Sequence, residues 1–239
     1  AQIGRVTHSK PLVRAALNVV EGDNFMANMV DVFWSFRSPY SYLVTADLLK
    51  LREDYDVQVR LRPVLPIALR AKSTIFDASD KKRPRYIVMD ARRRAEFLGL
   101  PFVWPKPDPV VQDRETFKVP EEQPLIWRLT GLGVVAENLG KGIDFAHAAA
   151  AVIWCGIPDW DKSDHLTQAA KNIGLNLSEM EAAVQEADVR AAVADNHQAL
   201  EQAGHWGVPT MVFEGEPFFG QDRIDTLRWR LDRAGLASK

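Results

Sequence analysis

Alternation of apolar and polar residues marks the two ends of the chain and largely disappears between them. Residues 30–36 form an apolar, aromatic run that predicts a buried strand. Arg37-Ser38-Pro39 breaks it, and Tyr40 to Arg52 continues as a helix with Leu43, Leu48, Leu49 and Leu51 at apolar positions. Val57-Gln-Val-Arg-Leu-Arg-Pro-Val alternates and predicts a second strand ending near Pro63. From about Leu65 to Ala203 the pattern is helical and rich in alanine. It predicts helices at 85–98, 123–138, 145–155, 164–173, 178–186 and 189–203. Ser178-Glu-Met-Glu181 reads as a capping box, and Gly99, Gly140 and Gly174 as stops. Strand signals return at Val208 to Phe213 and Glu216 to Phe219, joined at Glu214-Gly215 as a tight hairpin. A last helix follows from Ile224 to Ala234.

A strand–helix–strand half and a strand–strand–helix half therefore flank a block of helices. The halves complete one small sheet if the block is an insertion, with a right-handed first crossover. This predicts an α/β chain with an N-terminal arm at 1–28, a discontinuous sheet domain at 29–64 and 204–239, and an inserted helical domain at 65–203.

Composition narrows the classes. Of 239 residues 46% are apolar, enough for a substantial core, and 30 basic against 32 acidic residues argue against a dedicated nucleic-acid surface. No run of about 18 apolar residues predicts a membrane span, and the first residues lack the apolar core of a secretory signal. The single cysteine, Cys155, allows neither an internal disulfide nor a Cys-x-x-Cys pair. It fits a cytoplasmic location, and its apolar context reads as a small buried thiol.

Several motifs fail on context. Gly131-Leu-Gly133-Val-Val-Ala136 matches a dinucleotide fingerprint but has no βαβ unit around it. Asp159-Trp-Asp161-Lys-Ser163 begins like a calcium loop but lacks its glycine and terminal glutamate. The five histidines show no metal-ligand spacing, and His197 and His205 read as surface or packing residues. The seven tryptophans read as core.

Ser38 stands at a strand-to-helix junction with Pro39 at the first helical position. Taken alone, the pair is an ordinary N-cap. The same position also offers free N–H groups and a partial positive charge to an anion. Val208-Pro209 alone reads as a proline at a strand start, and Asp222 as a cap on the last helix.

Taken together, Ser38-Pro-Tyr-Ser41 after a strand, Gly207-Val-Pro-Thr210 before a strand and Phe219-Gly-Gln-Asp-Arg223 before the last helix resemble the 2-hydroxychromene-2-carboxylate isomerase and kappa-class glutathione transferase family. The resemblance covers about residues 29–236. It implies a thioredoxin-like fold with a large helical insertion, as in DsbA-like proteins. Ser38 and Ser41 occupy the two cysteine positions of redox relatives. By this resemblance glutathione is the cofactor and supplies the sulfur, and Ser38 stabilises its thiolate. Val208 and Pro209 form a cis-proline corner that pairs with the tripeptide backbone. The N–H groups of Gln221 and Asp222 bind its γ-glutamyl carboxylate, and the Asp222 carboxylate binds its ammonium. Family members carry Lys and then Asn after the second strand. This sequence departs from that pattern: Lys72 stands for the lysine, no asparagine follows it, and Ser73 or Thr74 is the residue available to substitute.

The implied activity is a glutathione-dependent isomerisation of an aromatic catabolite: thiolate addition, rotation about the resulting single bond, and expulsion. Arg37, Lys72, Arg83 and Arg85 are candidates for a substrate carboxylate, and each also reads as an ordinary surface charge. A kappa-like transferase or peroxidase, and a thiol-binding protein without turnover, are the alternative readings. The partners expected are a small aromatic molecule and a second copy of the chain, two-fold dimers being the commonest oligomers.

Overall fold

The computed structural model describes residues 28–70, 79–113 and 115–238. The predicted arm falls almost wholly outside them, as does Lys72.

Four strands form one mixed sheet in the order β2-β1-β3-β4. They are β1 (Met29–Trp34), β2 (Gln58–Pro63), β3 (Thr210–Phe213) and β4 (Glu216–Phe219). The β1 and β2 strands pair in parallel across α1 (Pro39–Asp54), whereas β1–β3 and β3–β4 are antiparallel. A parallel neighbour requires a crossover and an antiparallel one allows a hairpin, and the loop lengths follow that rule. Glu214 and Gly215 both have positive φ, 50° and 80°, the backbone a two-residue hairpin turn demands. Pro63 and Pro217 lie on the two edge strands, where proline costs no ladder bond.

Between β2 and β3 come α2 (Ile67–Arg70), α3 (Lys82–Leu98), α4 (Pro124–Asn138), α5 (Gly142–Trp154), α6 (His165–Asn172), α7 (Leu177–Ala183) and α8 (Glu186–Gln202). The last helix is α9 (Ile224–Arg233). This is the thioredoxin-like fold with a helical insertion that the sequence predicts. Val30, Val32 and Trp34 point into the main core, where α1 packs on α5 and α9. Phe33 faces the other way, against Leu200 of α8 and Val64. The sheet is thus covered on both faces, and burial of each large apolar side chain contributes about 1.5–3 kcal/mol.

Some local expectations are corrected. No capping box starts at Ser178. Asn176 caps α7, accepting from the N–H groups of Ser178 and Glu179 and donating to the Glu179 carboxylate. The strand expected from Val208 starts at Thr210, because residues 208–209 turn through a cis peptide bond. The short helix α2 was not anticipated. Trp206 and Trp229 are about half exposed, unlike the buried Trp34, Trp154 and Trp160. Gly131 and Gly133 lie inside α4, where Gly133 lets the helix approach Phe36 and Pro63. A Cβ there would sit 3.0 Å from the Phe36 ring.

Candidate functional site

The junction between β1 and α1 is built from its own sequence. The strand ends at Trp34, and the Ser38 N–H donates to the Ser35 carbonyl at 3.0 Å, closing a turn. Ser38 then caps α1 in extended geometry, its Oγ accepting from the Ser41 N–H at 3.1 Å. The cap reading therefore holds. The same hydroxyl donates to the Val208 carbonyl at 3.4 Å, a long bond. Ser41 Oγ is fully buried and has no partner among the described residues.

The Val208–Pro209 peptide bond is cis, and it lies against the start of α1 through that contact. Pro209 in turn accepts from the Gly220 N–H at 2.9 Å, which ties the turn before α9 to the same place. That turn, Gln221–Arg223, is a 3-10 segment packed on α1. The side chain of Asp222 does not cap α9. It is about half exposed and pairs with Arg223 at 3.1 Å. The Gln221 side chain is buried and accepts from Arg94 Nε at 2.9 Å. Ser38, Val208, Pro209, Gln221 and Asp222, far apart in sequence, thus border one place in the fold.

The arginine candidates divide. Arg37 grips Asp108 with two bonds, 2.8 and 3.1 Å, donates to Gln112 at 3.0 Å and lies over the Trp104 ring. Its charge is already matched. Arg85 lines a cavity of about 1070 Å³ between α3 and the loop from Trp104 to Phe117, and Arg37 forms part of the same wall. Arg83 is not among the residues lining it. Lys81, Arg92 and Arg93 add positive charge to that cavity, against Glu96 and Asp108, while Trp104, Val88 and Val110 supply apolar surface.

Other residues fix the junction that the sequence pattern did not single out. Tyr40 donates to Asp90 of α3 at 2.7 Å, and Tyr42 to the Pro101 carbonyl at 2.7 Å. Burial and the Asp90 carboxylate push the Tyr40 hydroxyl pKa up. Burial does the same for Tyr42, whose hydroxyl lies 3.6 Å from the Cys155 thiol. Cys155 is half-buried at the end of α5, not enclosed within it. Arg70 donates to the carbonyls of Leu65 and Trp206, at 2.6 and 2.8 Å, bracing the loop before Val208. For Tyr40 and Tyr42 the only signal is nearness in sequence to Ser38, and for Arg70 the sequence carries none.

The donor set fits a tripeptide thiol. The Val208 N–H has no hydrogen-bond partner among the described residues, so that backbone can take an extended peptide as one rung of a sheet. The N–H groups of Gln221 and Asp222 open the 3-10 turn without acceptors among the described residues, as a carboxylate site requires. The Asp222 carboxylate lies beside them, one of its oxygens taken by Arg223 and the other left for an ammonium. The Ser38 hydroxyl and the α1 N-terminus would face the sulfur.

Residues 29–232 match the family model described as a DSBA-like thioredoxin domain. A 2-hydroxychromene-2-carboxylate isomerase of Sphingobium xenophagum is 24% identical over 206 residues, which cover 84% of this chain and 97% of that protein. One from Pseudomonas putida is 32% identical over 82 residues, 32% of this chain and 39% of that protein. Among solved structures, a 2-hydroxychromene-2-carboxylate isomerase superposes with a TM-score of 0.63 at 22% identity, covering 86% of this chain and 95% of its own. The cytosolic disulfide reductase DsbM from Pseudomonas aeruginosa, solved with GSH, gives 0.57 at 18% identity, covering 85% and 99%. At these identities the structural likeness establishes the fold.

Proposed function

The chain belongs to the DSBA-like thioredoxin domain family, and from that premise we propose that it is a glutathione-dependent isomerase acting on an aromatic carboxylate of the 2-hydroxychromene-2-carboxylate type. One observation carries this reading: the Ser38 hydroxyl stands at the N-terminus of α1 and reaches the Val208 carbonyl, where a redox relative would carry its reactive sulfur. With serine at 38 and 41 the chain has no sulfur of its own there. The relatives named as isomerases, and the neighbour solved with GSH, support the choice.

Bound glutathione would supply a thiolate nucleophile. This chain's residues do the rest. With glutathione bound, Ser38 would donate its hydroxyl hydrogen bond to the sulfur and the first turn of α1 would add its dipole, so the charged form would be favoured over the thiol. The backbone of Val208 orients the tripeptide, and Gln221 and Asp222 hold its γ-glutamyl end. The cavity beyond Arg37 receives the flat substrate. Its apolar surface takes the ring, and Arg85, with Lys81 and Arg92, attracts the carboxylate. Arg37, neutralised by Asp108, braces the wall and does not bind the anion itself.

Two assays test the proposal. Millimolar glutathione is expected to raise the melting temperature, as any ligand specific to the folded state does. Turnover of 2-hydroxychromene-2-carboxylate, with none of chlorodinitrobenzene, is the expected activity. No melting shift would remove the glutathione reading. Turnover of chlorodinitrobenzene alone would replace the isomerase with a transferase.

A further inference from the structure

His205 lies three residues before Val208 of the cis bond, and its ring packs against two aromatic neighbours. It stacks on Phe219 at 3.9 Å between centroids and on Trp206 at 5.3 Å. Its Nδ1 accepts from the Gly207 N–H at 2.9 Å. Gly207 has no room for a side chain, since a Cβ would lie 2.3 Å from the Phe219 ring. The Gly207 carbonyl accepts from the Thr210 hydroxyl at 2.8 Å. His205, Gly207 and Phe219 thus form one packed unit that fixes the backbone on either side of Val208.

We propose that His205 is a positioning residue, whose neutral imidazole holds the Gly207 N–H and so sets the Val208 backbone against which glutathione would pair. The inference rests on the glutathione site described above and adds a condition for its use. Only a neutral ring with a lone pair on Nδ1 can accept from Gly207. A protonated ring would face that N–H with another donor and release the turn. Burial keeps the ring's pKa below its ordinary value. Among the described residues, the charged groups nearest the loop are Arg70, from α2, bonded to the Trp206 carbonyl, and Glu201, from α8, whose charge acts on Arg70. The ring facing it from β4, Phe219, carries no charge. Acid should therefore weaken the site through the loop, without touching any group that meets the ligand.

The test has two arms. In the free protein, the Gly207 amide and the His205 ring are followed by NMR from pH 7.5 to 4.5. The amide resonance should move with the ring's titration, at a midpoint below 6.5. An amide indifferent to that titration, or a midpoint at 6.5 or above, overturns the proposal without reference to any ligand. In the second arm the probe is S-methylglutathione, which has no thiol to ionise. Wild-type affinity should fall roughly tenfold between pH 7.5 and 5, the worth of about one hydrogen bond. His205→Phe, which keeps the stack and loses the acceptor, should bind roughly tenfold more weakly already at pH 7.5. His205→Asn, whose Oδ1 can accept from Gly207 but cannot titrate, should restore binding and flatten the profile. A Phe variant that binds like wild type, or an Asn variant with the wild-type pH profile, also overturns it. Absence of any binding by wild type at pH 7.5 would instead overturn the glutathione reading.

Discussion

The Ser38 hydroxyl and the Val208 carbonyl lie 3.4 Å apart although 170 residues separate them in sequence. The contact joins the start of α1 to the cis-proline turn. It places the Ser38 hydroxyl at the helix N-terminus against a stretch of backbone whose Val208 N–H has no partner among the described residues. Everything proposed for this site depends on that meeting.

The Arg37–Asp108 pair should matter more for shape than for charge. Both side chains are mostly buried, 16% and 22% exposed, and the guanidinium is bonded at Nε and Nη2. Arg37→Lys cannot reproduce the two-pronged contact. It should cost about 1–3 kcal/mol of stability by urea denaturation, with Asp108→Asn similar, as for hydrogen bonds to charged groups. If Arg37 instead bound the substrate, Arg37→Lys would raise KM and leave the denaturation midpoint unchanged.

Arg85 should behave the other way. It lines the cavity, and removal of one charge weakens attraction for an anion without breaking the fold. Arg85→Gln is expected to raise KM for a carboxylate substrate several-fold with kcat little changed, the pattern of lost uniform binding. Arg83→Gln, off the cavity lining, should leave steady-state kinetics within about twofold. Equal effects of the two substitutions would place the substrate elsewhere.

His197 should make stability fall in mild acid. Its Nε2 accepts from the Leu65 N–H at 3.0 Å. Burial, reinforced by the charge of Arg70, pushes its pKa down to about 4. The folded chain thus keeps the ring neutral where the unfolded chain, titrating near 6.5, takes up a proton. The stabilisation is complete above pH 6.5 and drains away as pH falls from there toward 4. Burial depresses His147 and His205 in the same sense. In denaturation midpoints measured between pH 7.5 and 4, His197→Gln, which keeps an acceptor without the titration, should flatten part of the decline. A decline unchanged in that variant would assign it to other groups.

Much of this molecule is legible in sequence where a local rule suffices. The aromatic run ending at Arg37-Ser38-Pro39 announces a strand-to-helix turn, because proline can begin a helix but not continue a central strand. Glu214-Gly215 announces the hairpin for similarly local reasons. The rule fails where two local candidates compete: Asn176 took the cap of α7 that Ser178 seemed suited for. It is silent where partners are distant. Nothing in the pattern around Arg37 points to Asp108, 71 residues on in a proline-rich loop. Nothing around Gln221 points to Arg94. Composition likewise hides which tryptophans stay outside, since the exposure of Trp206 and Trp229 is set by what lies opposite them in space.

The most direct measurement is the ultraviolet thiolate absorbance of glutathione bound to the wild-type protein and to Ser38→Ala, titrated from pH 5 to 10. A thiol ordinarily ionises near 8.5. The account predicts a midpoint well below that value for wild type and a clear rise toward it in the variant. A wild-type midpoint at the free value, or one unmoved by loss of the Ser38 hydroxyl, would contradict it.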